Sequence, residues 1–128
     1  MRLNQVTVPL VDYEASVAFY RALGLQLIVA SPPHYARFEC PGSDGGEPAT
    51  FSIEKVEGWT GGAWPEVFFE VDDIDAEVIR LRGLGILVGD IVDQDWLWRE
   101  AELLDPAGTR IKLFHAGFNR RFPPWRVI

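Results

Sequence analysis

Sliding the sequence against itself by 61 residues lays Asp12 on Asp73, Ala15 on Ala76, Val17 on Val78, Leu23 on Leu84 and Gly24 on Gly85, with Leu25 answered by Ile86. A spacing of this kind marks a duplicated structural unit, which constrains the fold more than any local propensity does. Each half carries the same grammar. A β-favouring run is followed by an Asp placed to cap a helix N-terminus, about eleven residues of helical character, a Leu-Gly stop suited to a left-handed C-terminal cap, and further β-like runs. In the first half, residues 3–10 read as a strand and 15–23 as a short helix, followed by strands over 26–30, 35–40 and 49–56. In the second half, 66–71 is a strand and Ile74, Val78 and Leu81 fall on one helix face, followed by strands over 86–92, 96–104 and 110–114. Pro32-Pro33, residues 42–48 and Asp105-Pro106-Ala107-Gly108 supply the turn chemistry between runs. The expected fold is α+β, built from two βαβββ modules over about 2–57 and 64–115, forming one domain with a C-terminal arm over 116–128.

At 128 residues with a single Cys, the chain has room for one ordinary domain and cannot close an internal disulfide. No basic segment leads into an apolar run with a cleavage site, and no stretch approaches eighteen apolar residues, so the default expectation is a cytoplasmic protein without a membrane partner. The formal charge of -7 opposes binding to a phosphate backbone, which makes nucleic acid a poor partner. The charge is uneven. Residues 115–128 hold Arg120, Arg121 and Arg126 and no acid, leaving -10 on the first 114 residues (-7 less the tail's +3). This tail, "FNRRFPPWRVI", is too aromatic for a disordered segment, and Pro123-Pro124 rules out a regular helix in it. It is expected to be an extended arm that packs apolar groups on a sheet or helix, turns its Arg side chains to the acidic body, and contributes to a homodimer or closes over its own subunit.

The segments "VDYEASVAFYRALGL", "FFEVDDIDAEVIRL" and "LLDPAGTRIKLF", set in the duplicated βαβββ pattern, resemble the vicinal oxygen chelate superfamily. That superfamily includes glyoxalases, extradiol dioxygenases, and bleomycin- and fosfomycin-resistance proteins. The resemblance runs from Leu3 to about His115. It implies curled sheets enclosing a cavity, with four metal positions drawn from both modules. On this sequence those positions fall on Gln5, Glu54, Glu66 and Lys112. Gln5 and the two glutamates have lone pairs for a divalent ion, but the Lys112 ammonium has three donors and no acceptor. The resemblance therefore implies a degenerate metal site in which Lys112 stands in for the ion, and a protein that binds a small molecule without a cofactor. Glu66 and Lys112 are the candidate acid and base. The alternative is a metal-dependent lyase, isomerase or dioxygenase that holds Zn, Ni, Mn or Fe on Gln5, Glu54 and Glu66.

Other residues add to the candidate site. Thr7 and Ser52 share strand parity with Gln5 and Glu54, and Arg37 shares a face with Tyr35 and Glu39. Trp96 and Trp98, one strand step apart, are expected to wall a binding surface for a flat or apolar ligand, or else to fill the core or a subunit contact. His34, His115 and Cys40 have no spacing that makes a metal or nucleophile site. The 42–48 stretch reads as a mobile hairpin loop.

Overall fold

The computed structural model describes residues 3–42 and 46–127. The order of elements is β1 (Gln5–Leu10), α1 (Tyr13–Ala22), β2 (Gln26–Ser31), β3 (Tyr35–Glu39), β4 (Thr50–Lys55), β5 (Glu66–Glu70), α2 (Ile74–Gly83), β6 (Val92–Asp93), β7 (Arg99–Leu104) and β8 (Arg110–His115). Two four-stranded mixed sheets result, ordered β1-β4-β3-β2 and β5-β8-β7-β6. In each, the opening strand runs parallel to the last strand of its own module, and the remaining pairs are antiparallel. The duplicated unit is therefore βαβββ, as the repeat predicts.

The helix ends show why the repeated residues recur. Asp12 and Asp73 each accept the amide of the residue three positions on, Ala15 and Ala76, at 3.1 Å in both modules. Gly24 and Gly85 both adopt left-handed backbone, with φ of 100° and 83°. Each closes its helix the same way: Gly24 donates to Arg21 and Leu25 to Tyr20, while Gly85 donates to Arg82 and Ile86 to Leu81. A side chain at either glycine would be strained in that conformation.

The chain divides into two compact units, residues 1–65 with 105–109, and 66–104 with 110–128. In the first, α1 packs Tyr20 against Phe38 and Phe51 at ring-centroid distances of 5.7 and 4.7 Å, over a core with Val8, Leu10, Ala36 and Ile53. The Tyr20 hydroxyl, buried with its ring, donates to Asp105 Oδ2 at 2.6 Å. Asp105 Oδ1 accepts the amides of Ala107 and Thr109 at 2.9 and 2.8 Å. The Asp-Pro-x-Gly turn thus closes around one buried carboxylate. In the second unit, Ala101, Leu103, Ile111 and Leu113 form the buried sheet face, and Ile74, Val78 and Leu81 are the buried residues of α2. Arg99, on that side of β7, bonds Asp75 of α2 at 2.8 Å.

Two expected strands are shorter than predicted. Of residues 86–92, only the last joins a strand; the Arg82 guanidinium of α2 takes the Val88 and Gly89 carbonyls at 2.9 and 3.1 Å, and the Gly89 amide donates to the Glu102 carbonyl of β7 at 2.8 Å. Trp96 and Trp98 lie outside β7, in a turn where Gln94 donates to Trp98 at 2.8 Å and Leu97 has a φ of 69°.

The arm also differs from expectation. Gly117–Arg120 forms a 3-10 turn, and the Phe118 and Phe122 rings stack on each other at 5.0 Å. The Arg126 and Arg121 guanidiniums lie 4.5 and 5.3 Å from the centre of the Phe122 ring. Arg120 alone of the three meets an acid of the body among the described residues, Glu70 at 3.2 Å. The Phe118 and Phe122 rings pack on each other and Phe122 on the tail's own arginines, with Phe118 74% and Trp125 56% exposed. Of the 42–48 loop, Ser43 to Gly45 lie outside the described residues, as does Ile128.

Candidate functional site

Strand alternation gives each sheet one face turned to its helix and one polar face. On the first sheet the polar face carries Gln5 and Thr7 of β1, Thr50, Ser52 and Glu54 of β4, and Tyr35, Arg37 and Glu39 of β3, each set at alternate positions. Thr7 and Ser52 are neighbours in the parallel ladder, and their hydroxyls lie 2.6 Å apart. The Gln5 side-chain carbonyl accepts from the Thr50 hydroxyl at 2.8 Å. Arg37 donates through Nε to the Tyr35 hydroxyl at 2.8 Å. The ladder register brings Arg37, grouped by parity only with Tyr35 and Glu39, onto the face of Gln5, Thr7, Ser52 and Glu54.

On the second sheet the polar face carries Glu66, Phe68 and Glu70 of β5, Arg110, Lys112 and Phe114 of β8, and Glu100 and Glu102 of β7. Glu100, which sequence reasoning did not single out, is its hub. Only 3% exposed, it is held at Oε1 by Lys112 Nζ at 3.2 Å and Gln94 Nε2 at 3.4 Å, and at Oε2 by Trp96 Nε1 at 3.1 Å. The available signal was parity: Glu100 and Glu102 alternate with the apolar Ala101 and Leu103 on a strand facing Lys112. Beside this network, Trp98 stacks on Phe114 at 4.5 Å and 18°, and the Phe68 ring lies edge-on to both at 5.9 and 5.8 Å. Trp96 thus lies against Glu100 and Trp98 against Phe114, both from the turn rather than from a strand.

The expected cluster of Glu54, Glu66 and Lys112 is partnered differently. Glu66 pairs with its ladder neighbour Arg110 at 3.3 Å, and Lys112 pairs with Glu100 and, at 3.7 Å, Glu102. Among the described residues no ion pair joins Glu66 to Lys112, so an acid-base couple between them has no direct contact. The ladder register also relates the two modules to each other. Gln5 lies beside Thr50 and Glu66 beside Arg110, so the offset of 61 between opening strands becomes 60 between closing strands. Ser52 is then the counterpart of Lys112, and Glu54 that of Phe114. The four equivalent positions hold Gln5, Ser52, Glu66 and Lys112.

That donor set does not fit a divalent cation. The Gln5 oxygen and the Ser52 hydroxyl are already hydrogen-bonded, Glu66 is paired with a guanidinium, and Lys112 has no lone pair to give. Among the described residues no three His, Cys, Asp or Glu side chains are grouped to hold a metal ion. His115 lies on the opposite side of β8 from Lys112, with Nδ1 2.8 Å from the Val71 carbonyl. Cys40 is half-buried and its thiol is pushed up by burial, the opposite of what a nucleophile requires. No described helix is long and apolar enough to cross a membrane.

Solved structures share this architecture. A glyoxalase/bleomycin resistance protein/dioxygenase from Nocardioides is 23% identical with a TM-score of 0.76, covering 100% of this chain and 90% of its own. A lactoylglutathione lyase from Agrobacterium tumefaciens is 18% identical with a TM-score of 0.71, covering 89% and 92%. An antibiotic binding protein from Streptomyces is 23% identical with a TM-score of 0.72, covering 91% and 96%. Among curated protein sequences nothing matches the chain. The family profile described as Glyoxalase/Bleomycin resistance protein/Dioxygenase superfamily matches residues 2–113, and with the duplicated βαβββ fold it leads to one conclusion: the chain belongs to that superfamily.

Proposed function

We propose that the protein binds a small molecule on the polar faces of its sheets without a metal, the family's ion position being taken by an ammonium. The observation that carries this is Lys112, half-buried and paired with the buried Glu100 at 3.2 Å. A cation fixed there repels a second one and occupies the carboxylates that would otherwise be free. The family includes proteins named for lyase activity and proteins named for binding antibiotics, and this donor set favours the second kind. Phe68 and the part-exposed Trp98, backed by the buried Phe114 ring, offer flat apolar surface, and Trp96 an exposed indole, to a planar ligand.

Elemental analysis of untagged protein tests the absence of an ion. Zn, Ni, Mn and Fe are expected far below one per chain, and one equivalent of any of them overturns the reading. Lys112→Glu sets a third carboxylate beside Glu100 and Glu102 and is expected to raise affinity for added Mn or Zn. Titration with metal-free bleomycin, followed by tryptophan emission, tests binding directly, with the response lost in Trp98→Ala.

The exposed Phe118, Trp125 and Val127 support a homodimer in which the arm takes part. Sedimentation is expected to show a dimer for the full chain and a weakened one for a chain ending at Gly117. A dimer unchanged by the truncation excludes an essential role for the arm.

A further inference from the structure

Arg37 is the one basic residue among the described strand positions of the first sheet's polar face, in a chain with 19 acids and 12 Lys and Arg. Acids are near at hand. Glu39 lies two residues along the same strand, and Glu54 lies on β4 opposite Tyr35. Among the described residues, no carboxylate pairs with Arg37. Its Nε goes instead to the Tyr35 hydroxyl, and the guanidinium carbon lies 5.5 Å from the centre of that ring. This contact holds the half-buried head group at the middle of the sheet and leaves the four N–H of its two terminal nitrogens for other acceptors.

The neighbouring groups have the same bias. Directly across the ladder from Arg37 is Ser52, fully buried, and beside Ser52 is Thr7. Their two hydroxyls have two protons, and one suffices for the 2.6 Å bond between them. The Tyr35 hydroxyl accepts from Arg37, so its own proton is free to be donated. Along the row Arg37, Ser52, Thr7, with Tyr35 at its side, donors outnumber acceptors and the charge is positive. A surplus of donors around a forked cation is the recognition pattern for an oxyanion, and a guanidinium matches carboxylate and phosphate oxygens two at a time.

We propose that Arg37, with the Tyr35 hydroxyl and the exposed Thr7 hydroxyl held from behind by the buried Ser52, binds the carboxylate or phosphate group of the protein's ligand. This rests on the small-molecule reading above and gives the ligand a negative end. Glu39 and Glu54 flank the row and repel anions that overlap them, so a compact terminal group is favoured over a polyanion.

The test uses the full-length protein at fixed ionic strength, titrated with benzoate and, separately, with inorganic phosphate, with chloride as the control. Backbone amide signals of residues 35–39 and 50–54 are expected to move saturably with at least one of the two oxyanions and not with chloride. The better of the two identifies the group as carboxylate or phosphoryl. Arg37→Gln is expected to weaken that binding about tenfold or more, as for loss of a charge-assisted hydrogen bond. Tyr35→Phe is expected to weaken it less. If Arg37→Gln does not fold, Arg37→Lys is read instead, since it keeps the charge and loses the fork. Movement equal to that with chloride, or binding undiminished in the Arg37 variant that folds, overturns the inference. A parallel titration with the uncharged fluorophore phenylnaphthylamine separates the two claims. If it binds and neither oxyanion does, the oxyanion site falls and the small-molecule reading stands; if nothing binds, both fall.

Discussion

Asp105→Ala is expected to lower unfolding free energy by about 4 kcal/mol, because one side chain satisfies three buried donors and each orphaned donor costs roughly 1–3 kcal/mol. The donors are the Tyr20 hydroxyl at 2.6 Å and the amides of Ala107 and Thr109 at 2.9 and 2.8 Å. Tyr20→Phe removes only the first of these and is expected to cost about 1–2 kcal/mol. Urea denaturation of the two variants checks the ranking. If Asp105→Ala costs no more than Tyr20→Phe, the turn is not held by that carboxylate.

The same residue makes a pH prediction. Burial pushes the Asp105 carboxyl above its usual range, while the Tyr20 hydroxyl and the turn amides pull partly the other way. Burial also pushes the Tyr20 hydroxyl far up, reinforced by the Asp105 charge. A carboxyl raised in the folded state holds its proton more tightly there than in the unfolded chain. The stability this contributes is complete below the ordinary Asp value of about 3.9 and is lost as pH rises through the raised one. Asp105→Asn keeps an oxygen for the amides and carries no titrating proton. The stability of wild type relative to Asp105→Asn should therefore fall as pH rises from about 3 to about 7, whatever the other acids do. A constant difference across that range contradicts the buried carboxyl's role.

Much of this fold was legible because the duplication preserves residues whose roles are local. Asp12 and Asp73 cap helices, and Gly24 and Gly85 end them, with the same geometry in both copies. Strand parity grouped Thr7 with Gln5, Ser52 with Glu54, and Arg37 with Tyr35 and Glu39, while the ladder register sets these groups on one face. What the sequence did not disclose depends on contacts distant along the chain. Of the strand expected over 86–92 only Val92 joins one, and the segment is held instead by the Arg82 side chain and by one amide hydrogen bond to β7, contacts that periodicity does not represent. The counterpart of Lys112 shifts from Glu54 to Ser52 because one residue fewer separates the first and last strands of the second module, and only ladder register reveals that. Lys112 was identifiable as an ill-suited metal ligand from its side chain alone. Its partner was not, because Glu100 becomes buried only when the turn over Gln94 and Trp96 folds onto it.

That partnership makes Lys112→Ala the more informative of the two central replacements. Glu100 is 3% exposed and Lys112 19%, so removing the ammonium leaves a carboxylate out of water with only the Trp96 and Gln94 side-chain N–H groups to hold it. Breaking a buried ion pair on one side costs roughly 3 kcal/mol, against under 1 kcal/mol for an exposed pair. Glu102, at 3.7 Å and 43% exposed, is solvated and gains little from Lys112, so Glu102→Gln is expected to change stability by less than about 0.5 kcal/mol. Replacing both members of the buried pair, Glu100→Gln with Lys112→Met, leaves no unpaired charge and is expected to recover much of the loss. Denaturant titration of Glu100→Gln, Lys112→Met and the double variant gives the coupling directly, and tryptophan emission reports whether Trp96 leaves its place over Glu100. Additive losses in the cycle would mean that the ammonium and the carboxylate act independently. Coupling of about 1–3 kcal/mol would mean that the Lys112 charge is held in place by the fold itself.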